Sequence, residues 1–157
     1  MVDYEIRRIH GLENLKALRL AKRVFIEFDA PDYSKQGTNG VLLFIRRDSK
    51  ILLLNGSMII YGAYSGARLV GMCAMRDYSH ISLLFVDKKY HRNGIAKALI
   101  KRAETEAKER NITALTVHSS LYATEIYHKM GFADMGDKKC ENDVIYTPMK
   151  KNIPNKG

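Results

Sequence analysis

The sequence predicts a three-layered α+β fold (α/β in its layering), with a mixed, mostly antiparallel sheet of about seven strands and about four helices. Three observations carry this expectation. Segments 57–64, 68–75 and 80–86 have strand character and are separated by the turn signals Ser65-Gly66 and Asp77-Tyr78-Ser79. Segments 12–29 and 94–110 instead repeat their apolar residues at helical spacing. The order of elements is one strand, two helices, three antiparallel strands, a helix, a strand, a helix and two strands, with no internal repeat or domain linker.

Residues 2–9 alternate as a strand does, and in 12–29 Leu12, Leu15, Leu18, Val24, Phe25 and Phe28 recur at helical intervals between charges. Ala30-Pro31-Asp32-Tyr33 breaks that helix. Ser34 is an N-cap for a second helix over 34–48, which Gly37 and Gly40 weaken. The Ser65-Gly66 turn joins 57–64 to 68–75 as a hairpin, and 80–86 is the next strand. From Gly94 to Arg110, Ala96, Leu99, Ile100, Ala103 and Ala107 share one helix face. A strand over 113–118, a short helix over 121–130 and strands near 132–137 and 143–149 complete the fold. Residues 1–149 read as a single domain and 150–157 as a polar, basic C-terminal tail.

A chain of 157 residues, 46% hydrophobic, suits one domain with its own core. Its apolar runs are too short to span a bilayer. The opening residues MVDYEIRRIH lack the apolar core of a signal peptide, so the expectation is a cytoplasmic protein with no membrane partner. Cys73 and Cys140 lie far apart in strand-like segments, and no Cys/His spacing suggests a metal site. Both are expected as reduced thiols in or near the core. The net charge is +9, and eight lysines and arginines crowd into residues 87–110. Such a surplus suits a phosphate-bearing cofactor or nucleic acid.

The informative stretch is LLFVDKKYHRNGIA, residues 83–96. An apolar strand, a basic turn and Asn93-Gly94-Ile95-Ala96 opening a helix make an anion site, because the first N–H groups of a helix lack intrahelical partners and point along a positive dipole end. Gly94 and Ala96 carry almost no bulk, so a diphosphate can approach the main chain. His91 and Arg92 are positioned to add side-chain donors. A Walker-type loop and a three-glycine dinucleotide fingerprint are both absent.

A second segment, 113–132, reads TALTVHSSLYATEIYHKMGF. Together the two resemble the GNAT N-acetyltransferase family. Its acetyl-CoA signature, Gln/Arg-x-x-Gly-x-Gly/Ala after an aliphatic strand, is matched by His91-Arg92-Asn93-Gly94-Ile95-Ala96 after Leu84-Phe85-Val86. Its later Asn-x-x-Ala and Tyr-x-x-x-Gly-Phe motifs are matched by Ser120-Leu121-Tyr122-Ala123 and by Tyr127 through Gly131-Phe132. His91 stands where Gln or Arg is usual, and Ser120 where Asn is common. The resemblance covers residues 68–132 and, more weakly, the whole chain.

The resemblance implies a GNAT acyl-CoA N-acyltransferase fold with acetyl-CoA as co-substrate and no metal. It implies that Leu84, Phe85, Val86, His91, Arg92, Asn93, Gly94, Ile95, Ala96, Ser120, Ala123 and Tyr127 bind the cofactor. A backbone N–H near Phe85 or Val86 would meet the oxyanion, and Tyr127 would be the catalytic acid, since a phenol is neutral at pH 7 and can protonate a thiolate. Packing is the competing role for Tyr127, which shares an apolar stripe with Ala123, Ile126 and Met130. For the base, the candidates are His80, His118, Asp77 and Glu27, and some relatives need none because solvent deprotonates the amine. The acceptor would sit over the first two helices, where Phe28, Asp32 and Tyr33 can hold a cation or simply end a helix.

The function that follows is transfer of acetyl from acetyl-CoA to a primary amine of a small-molecule or peptide acceptor. The alternatives are a catalytically silent GNAT-fold module that binds CoA and a basic nucleic-acid-binding module. The second alternative wants a basic stripe with exposed aromatics, whereas these cations surround one loop, so no nucleic-acid partner is expected. The assembly is expected to be a monomer or a homodimer.

Overall fold

The computed structural model describes residues 2–154. Its sheet has eight strands in the order β1-β2-β3-β4-β5-β8-β6, with β7 pairing on β8. The strands are β1 (Glu5–Ile9), β2 (Met58–Ser65), β3 (Arg68–Arg76), β4 (His80–Val86), β5 (Ala114–Ser119), β6 (Ala133–Asp134), β7 (Lys139–Glu141) and β8 (Val144–Asn152). Neighbours pair antiparallel except β4 and β5, which run parallel. The helices are α1 (Asn14–Val24), α2 (Lys35–Leu43), α3 (Ser49–Leu54), α4 (Ile95–Glu109) and α5 (Thr124–Lys129).

β2 and β3 are buried on both faces, which is why they read as nearly continuous apolar runs. On one face Ile59, Tyr61, Val70 and Cys73 pack with Leu99, Ile100 and Ala103 of α4. On the other, Ile60, Met72 and Ala74 pack with Leu18, Ala21 and Phe25 of the first helical segment. Two apolar layers thus clamp one sheet, giving the three-layered α+β arrangement.

Both early helices run on past their α-helical parts. After Val24, a π-helical turn covers Phe25–Asp29 and a 3-10 turn covers Ala30–Asp32. Ser34 does cap α2, accepting from the Gly37 N–H at 3.0 Å. The second helix, expected to end at 48, passes through a second π turn (Phe44–Asp48) and continues as α3 to Leu54. Exposed Ile51 and Leu54 leave α3 without a clean amphipathic stripe, so periodicity alone did not reveal it.

Other boundaries differ from expectation. Residues 2–4 precede β1, and 121–123 form a turn ahead of α5. β7 is a strand beyond the expected seven, and Cys140 within it is exposed, whereas Cys73 is buried. Lys150–Asn152 continue β8, pairing with Thr116, Leu115 and Ala114, and Ile153 behind them is buried. The expected tail therefore loses its first three residues to the sheet, and its last three lie outside the described residues. Its lysines misled because a strand tolerates charge on an outward face; the Lys151 ammonium meets Glu104 of α4 at 2.6 Å. Among the described residues no helix is long and apolar enough to cross a membrane.

A second, buried polar contact ties α4 to the sheet. The fully buried Tyr61 of β2 donates its hydroxyl proton to Glu106, which also accepts from the Arg110 Nε at 3.2 Å. Tyr61→Phe leaves that buried carboxylate short of a donor and is expected to lower stability by about 1–3 kcal/mol. Urea unfolding measures the loss, and an unchanged midpoint with unchanged slope would remove this contact from the forces that hold α4.

Candidate active site

β4 ends at Val86 and α4 begins at Ile95. Asp87 opens the intervening loop and accepts from the Lys89 N–H at 3.1 Å, capping a 3-10 turn over Lys88–Tyr90. Arg23 meets the same carboxylate at 3.1 Å and Arg68 at 4.0 Å. Burial pushes Asp87 up, but the Lys89 N–H and the two guanidinium groups outweigh it and hold the carboxyl below the usual range. Arg92 and Gly94 then take left-handed backbone, with φ of +64° and +76°. Such turns curl successive N–H groups into an anion-binding concavity. The first intrahelical bond runs from the Ala98 N–H to the Gly94 carbonyl at 3.0 Å. The N–H groups of Ile95, Ala96 and Lys97 therefore extend the concavity at the positive end of a fifteen-residue helix.

Of the two side chains expected as donors, Arg92 is exposed whereas His91 turns inward, and Asn93 turns inward with it. The His91 Nε2 lies 2.8 Å from the Val86 carbonyl, and since a carbonyl only accepts, Nε2 carries the proton. The ring thus pins the loop to the end of β4. The Asn93 amide donates to the Tyr90 and His91 carbonyls, each at 3.1 Å, and its oxygen accepts from the Val2 N–H at 3.2 Å. His91 and Asn93 shape the loop, which leaves main-chain groups and the exposed Arg92 as its outward donors.

The second half of the site is a gap in the sheet. β4 and β5 pair only at His80↔Thr116 and Ile81↔Val117. Opposite β3 the register slips, so that Ile81 faces Met75 and Leu83 faces Ala74, leaving Ser82 as a bulge. Beyond it Leu83–Val86 have no partner strand on their β5 side. A cavity of about 420 Å³ opens at this parting. Leu84, Phe85, Ser120, Ala123 and Tyr127 line it, whereas Val86 and residues 91–96 form the loop beside it.

Tyr127 is held in place by the way α5 ends. The Gly131 N–H bonds to the His128 carbonyl and the Phe132 N–H to the Tyr127 carbonyl, both at 3.0 Å, with Gly131 at φ +95°. This Schellman closure folds Phe132 back onto Tyr127, edge-on at 5.3 Å between ring centres. The Tyr-x-x-x-Gly-Phe spacing is therefore a helix stop that fixes a tyrosine. Burial, then the nearby Cys73 and Asp29, pushes the Tyr127 phenol far above its usual range, so it stays protonated at neutral pH.

A family model described as "Acetyltransferase (GNAT) domain" matches residues 29–153. The chain belongs to the GNAT acetyltransferase family. It is an acyltransferase by that membership. Solved structures share the fold. A GCN5-related N-acetyltransferase from Rhodopseudomonas palustris is 21% identical with a TM-score of 0.78, covering 97% of each chain. The PaiA N-acetyltransferase of Thermoplasma acidophilum, solved in complex with coenzyme A, is 18% identical with a TM-score of 0.76 over 96% of this chain and 99% of that one. A GNAT acetyltransferase from Staphylococcus aureus Mu50 is 16% identical with a TM-score of 0.70 over 97% and 100%. No curated protein matches the sequence.

The acetyltransferase's remaining candidates divide by place. Glu27 is half exposed and pairs with Lys88 at 3.9 Å, and Asp77 sits in the β3–β4 turn; neither lines the cavity. His80 and His118 do line it. The His80 Nδ1 is 2.8 Å from the Thr116 hydroxyl, and burial followed by His118 and Arg76 lowers the ring to about 4. His118 is lowered mainly by burial and lies against His80 on one side and Tyr146 on the other. Tyr33 lines the cavity, Asp32 faces solvent, and Phe28 packs between His91 and Tyr122 at 5.3 and 5.4 Å, bridging the loop to the turn before α5.

Sequence reasoning missed Asp29. It lines the cavity, is 9% exposed, and closes the π turn one helical turn after core-facing Phe25. Burial, reinforced by Asp32 and partly offset by the Ser120 side chain, raises its carboxyl to about 6. The signal was present: an acid four residues beyond a buried Phe faces inward, but the Pro31 helix stop drew attention to Asp32.

The raised value sets a pH dependence of stability. The unfolded carboxyl titrates near 3.8 and the folded one near 6, so the folded state holds the proton longer and stability falls as pH rises through that window. The loss is about 3 kcal/mol at 1.36 kcal/mol per unit of pKa. Asp29→Asn lacks this titration, so its melting temperature is expected to gain on the wild type between pH 4 and pH 7.5. Thermal unfolding across that range checks it, and a constant difference would contradict it.

Proposed function

We propose that this acetyltransferase moves the acetyl group of acetyl-CoA onto a primary amine of a small-molecule or peptide acceptor by direct attack. The observation that carries the reading is the meeting of the β4–β5 gap with the left-handed loop at the start of α4. The loop offers main-chain N–H groups to a diphosphate, and Lys88, Lys89, Arg92 and Lys97 lie in it or in the first turn of α4. The gap offers unpaired main-chain groups of Leu84, Phe85 and Val86 to the amide-bearing pantetheine arm. Ser120 and Ala123 form the opposite wall.

The chemistry follows from placement. The acetyl carbonyl, held in the gap, is attacked by the neutral amine while a backbone N–H near Phe85 or Val86 takes the developing negative charge. As the tetrahedral species collapses, the protonated Tyr127 phenol donates to the departing thiolate. CoA binding to relatives of this fold, seen in the PaiA complex, supports the choice of cofactor. A cytoplasmic setting and a monomeric or homodimeric state belong to the same reading, and no metal, nucleic acid or membrane takes part in it.

The test is incubation with acetyl-CoA and a panel of primary amines, following free thiol and product mass. Acetylated amine is expected; CoA binding with no product from any amine would make the chain a silent CoA-binding module instead. Three substitutions probe the parts by calorimetry with CoA and by turnover. Gly94→Val puts a β-branched residue at φ +76° and is expected to abolish CoA binding, and retained affinity would undo the loop assignment. His91→Gln keeps a donor for the Val86 carbonyl and is expected to hold affinity within about threefold, a shift below 1 kcal/mol. Tyr127→Phe is expected to lower turnover by about a hundredfold with CoA affinity kept, and unchanged turnover would remove the acid role.

A further inference from the structure

We propose that Asp29 takes the proton from the acceptor's ammonium group, making it the base of the acetyl transfer described above. The proposal rests on that acetyl-transfer reading and adds a residue that neither the family motifs nor the loop contain.

Asp29 lines the same cavity as Tyr127, Ser120 and the open edge of β4. An amine that reaches the acetyl carbonyl must enter this space. Several of the other titratable groups on its walls already have partners, and His118 is packed between His80 and Tyr146. Asp48 pairs with Arg47 at 2.9 Å, Glu141 is exposed and bonds to Tyr146, and the His80 Nδ1 is taken by Thr116. Asp29 is nine-tenths buried and has no lysine or arginine partner among the described residues. The titratable groups that face it are Asp32 and Tyr33 from its own segment and Tyr127 from α5. None of them is a cation, and its hydrogen-bond partner is the neutral Ser120 side chain, so the carboxylate has no charged group to neutralise it before an ammonium arrives.

Burial also gives it a suitable strength. With its carboxyl raised to about 6, most of it is ionised at pH 7, and it is a better proton acceptor than an ordinary surface aspartate. Its position on a π-helical turn is consistent with a functional role, because such turns place side chains off the regular helical spacing.

The step balances as follows. The Asp29 carboxylate accepts one proton from the ammonium, and the freed nitrogen pair forms the C–N bond as the carbonyl π pair moves onto oxygen. That pair returns and the C–S bond breaks, its electrons leaving on the CoA sulfur. Tyr127 gives the sulfur a proton and recovers one from the N-protonated product. Asp29 then releases its proton to water, so the products are amide, CoA thiol and one proton.

The experiment compares wild type, Asp29→Asn and Asp29→Glu, with benzylamine, 1,4-diaminobutane and a glycyl-lysine peptide as acceptors, from pH 5 to 10. The wild-type kcat/KM profile should show an acidic limb near pH 6. Asp29→Asn should lose that limb and about a hundredfold of kcat/KM at pH 7.5, recovering toward pH 10 where free amine is abundant. Asp29→Glu should restore the limb and part of the rate. CoA affinity by calorimetry should stay within about threefold in both variants. An Asp29→Asn enzyme with wild-type rates and profile would overturn the proposal. So would a raised amine KM with kcat and the limb unchanged, which would make Asp29 an anchor, and so would lost CoA affinity, which would make it part of the cofactor wall. If the wild type binds acetyl-CoA yet acetylates none of the three amines or any of the wider panel, acetyl transfer itself fails, and this inference with it.

Discussion

The parting of β4 from β5 is the constraint on which the rest of the site depends. Two parallel pairs hold the strands together at His80 and Ile81, and the Ser82 bulge then turns β4 away. A sheet interrupted at its centre leaves main-chain donors and acceptors without partners, which normally costs free energy. The fold limits the cost by confining the break to the last residues of β4 and walling it with Ser120, Ala123 and Tyr127. It also sets direction: the freed strand runs straight into the loop whose left-handed residues face α4's dipole. The open edge of β4 and the loop before α4 are consecutive segments of one continuous piece of chain.

The charge distribution follows the same logic. The chain carries a surplus of nine positive charges, and the loop and α4 hold many of them. Inside the loop the polar side chains are spent on scaffolding: Asp87 on the Lys89 N–H and Arg23, Asn93 on two carbonyls, His91 on Val86. Fixed main-chain dipoles, which need no reorganisation when a ligand arrives, are left facing outward. The basic side chains around them add long-range attraction that salt screens.

Within the cavity the balance reverses, and stability is set against chemistry. Asp29 is buried without a cation and Tyr127 is buried in its charged-disfavoured surroundings, so each holds its proton more tightly than in water. A carboxylate so placed destabilises the folded chain at neutral pH. The surrounding structure absorbs it through ordinary means, two apolar layers on one sheet and a Schellman closure that locks Tyr127 against Phe132.

What was legible in the sequence was local. Alternation and helical spacing revealed the three central strands, α4, β5 and the strand–loop–helix order around Gly94, because burial on one or two faces writes directly into residue order. The glycine at position 94 and the Tyr127-to-Phe132 spacing were legible for the same reason, since each answers a local backbone demand. Tertiary structure decided what depends on neighbours distant in the chain. It joined Lys150–Asn152 to β5 as strand, exposed Cys140, turned His91 and Asn93 inward, and made Asp29 rather than Asp32 the acid that lines the cavity. No pattern in the segment itself encodes these outcomes: they are set by which surface packs across from each residue, and that surface exists only after the sheet has formed.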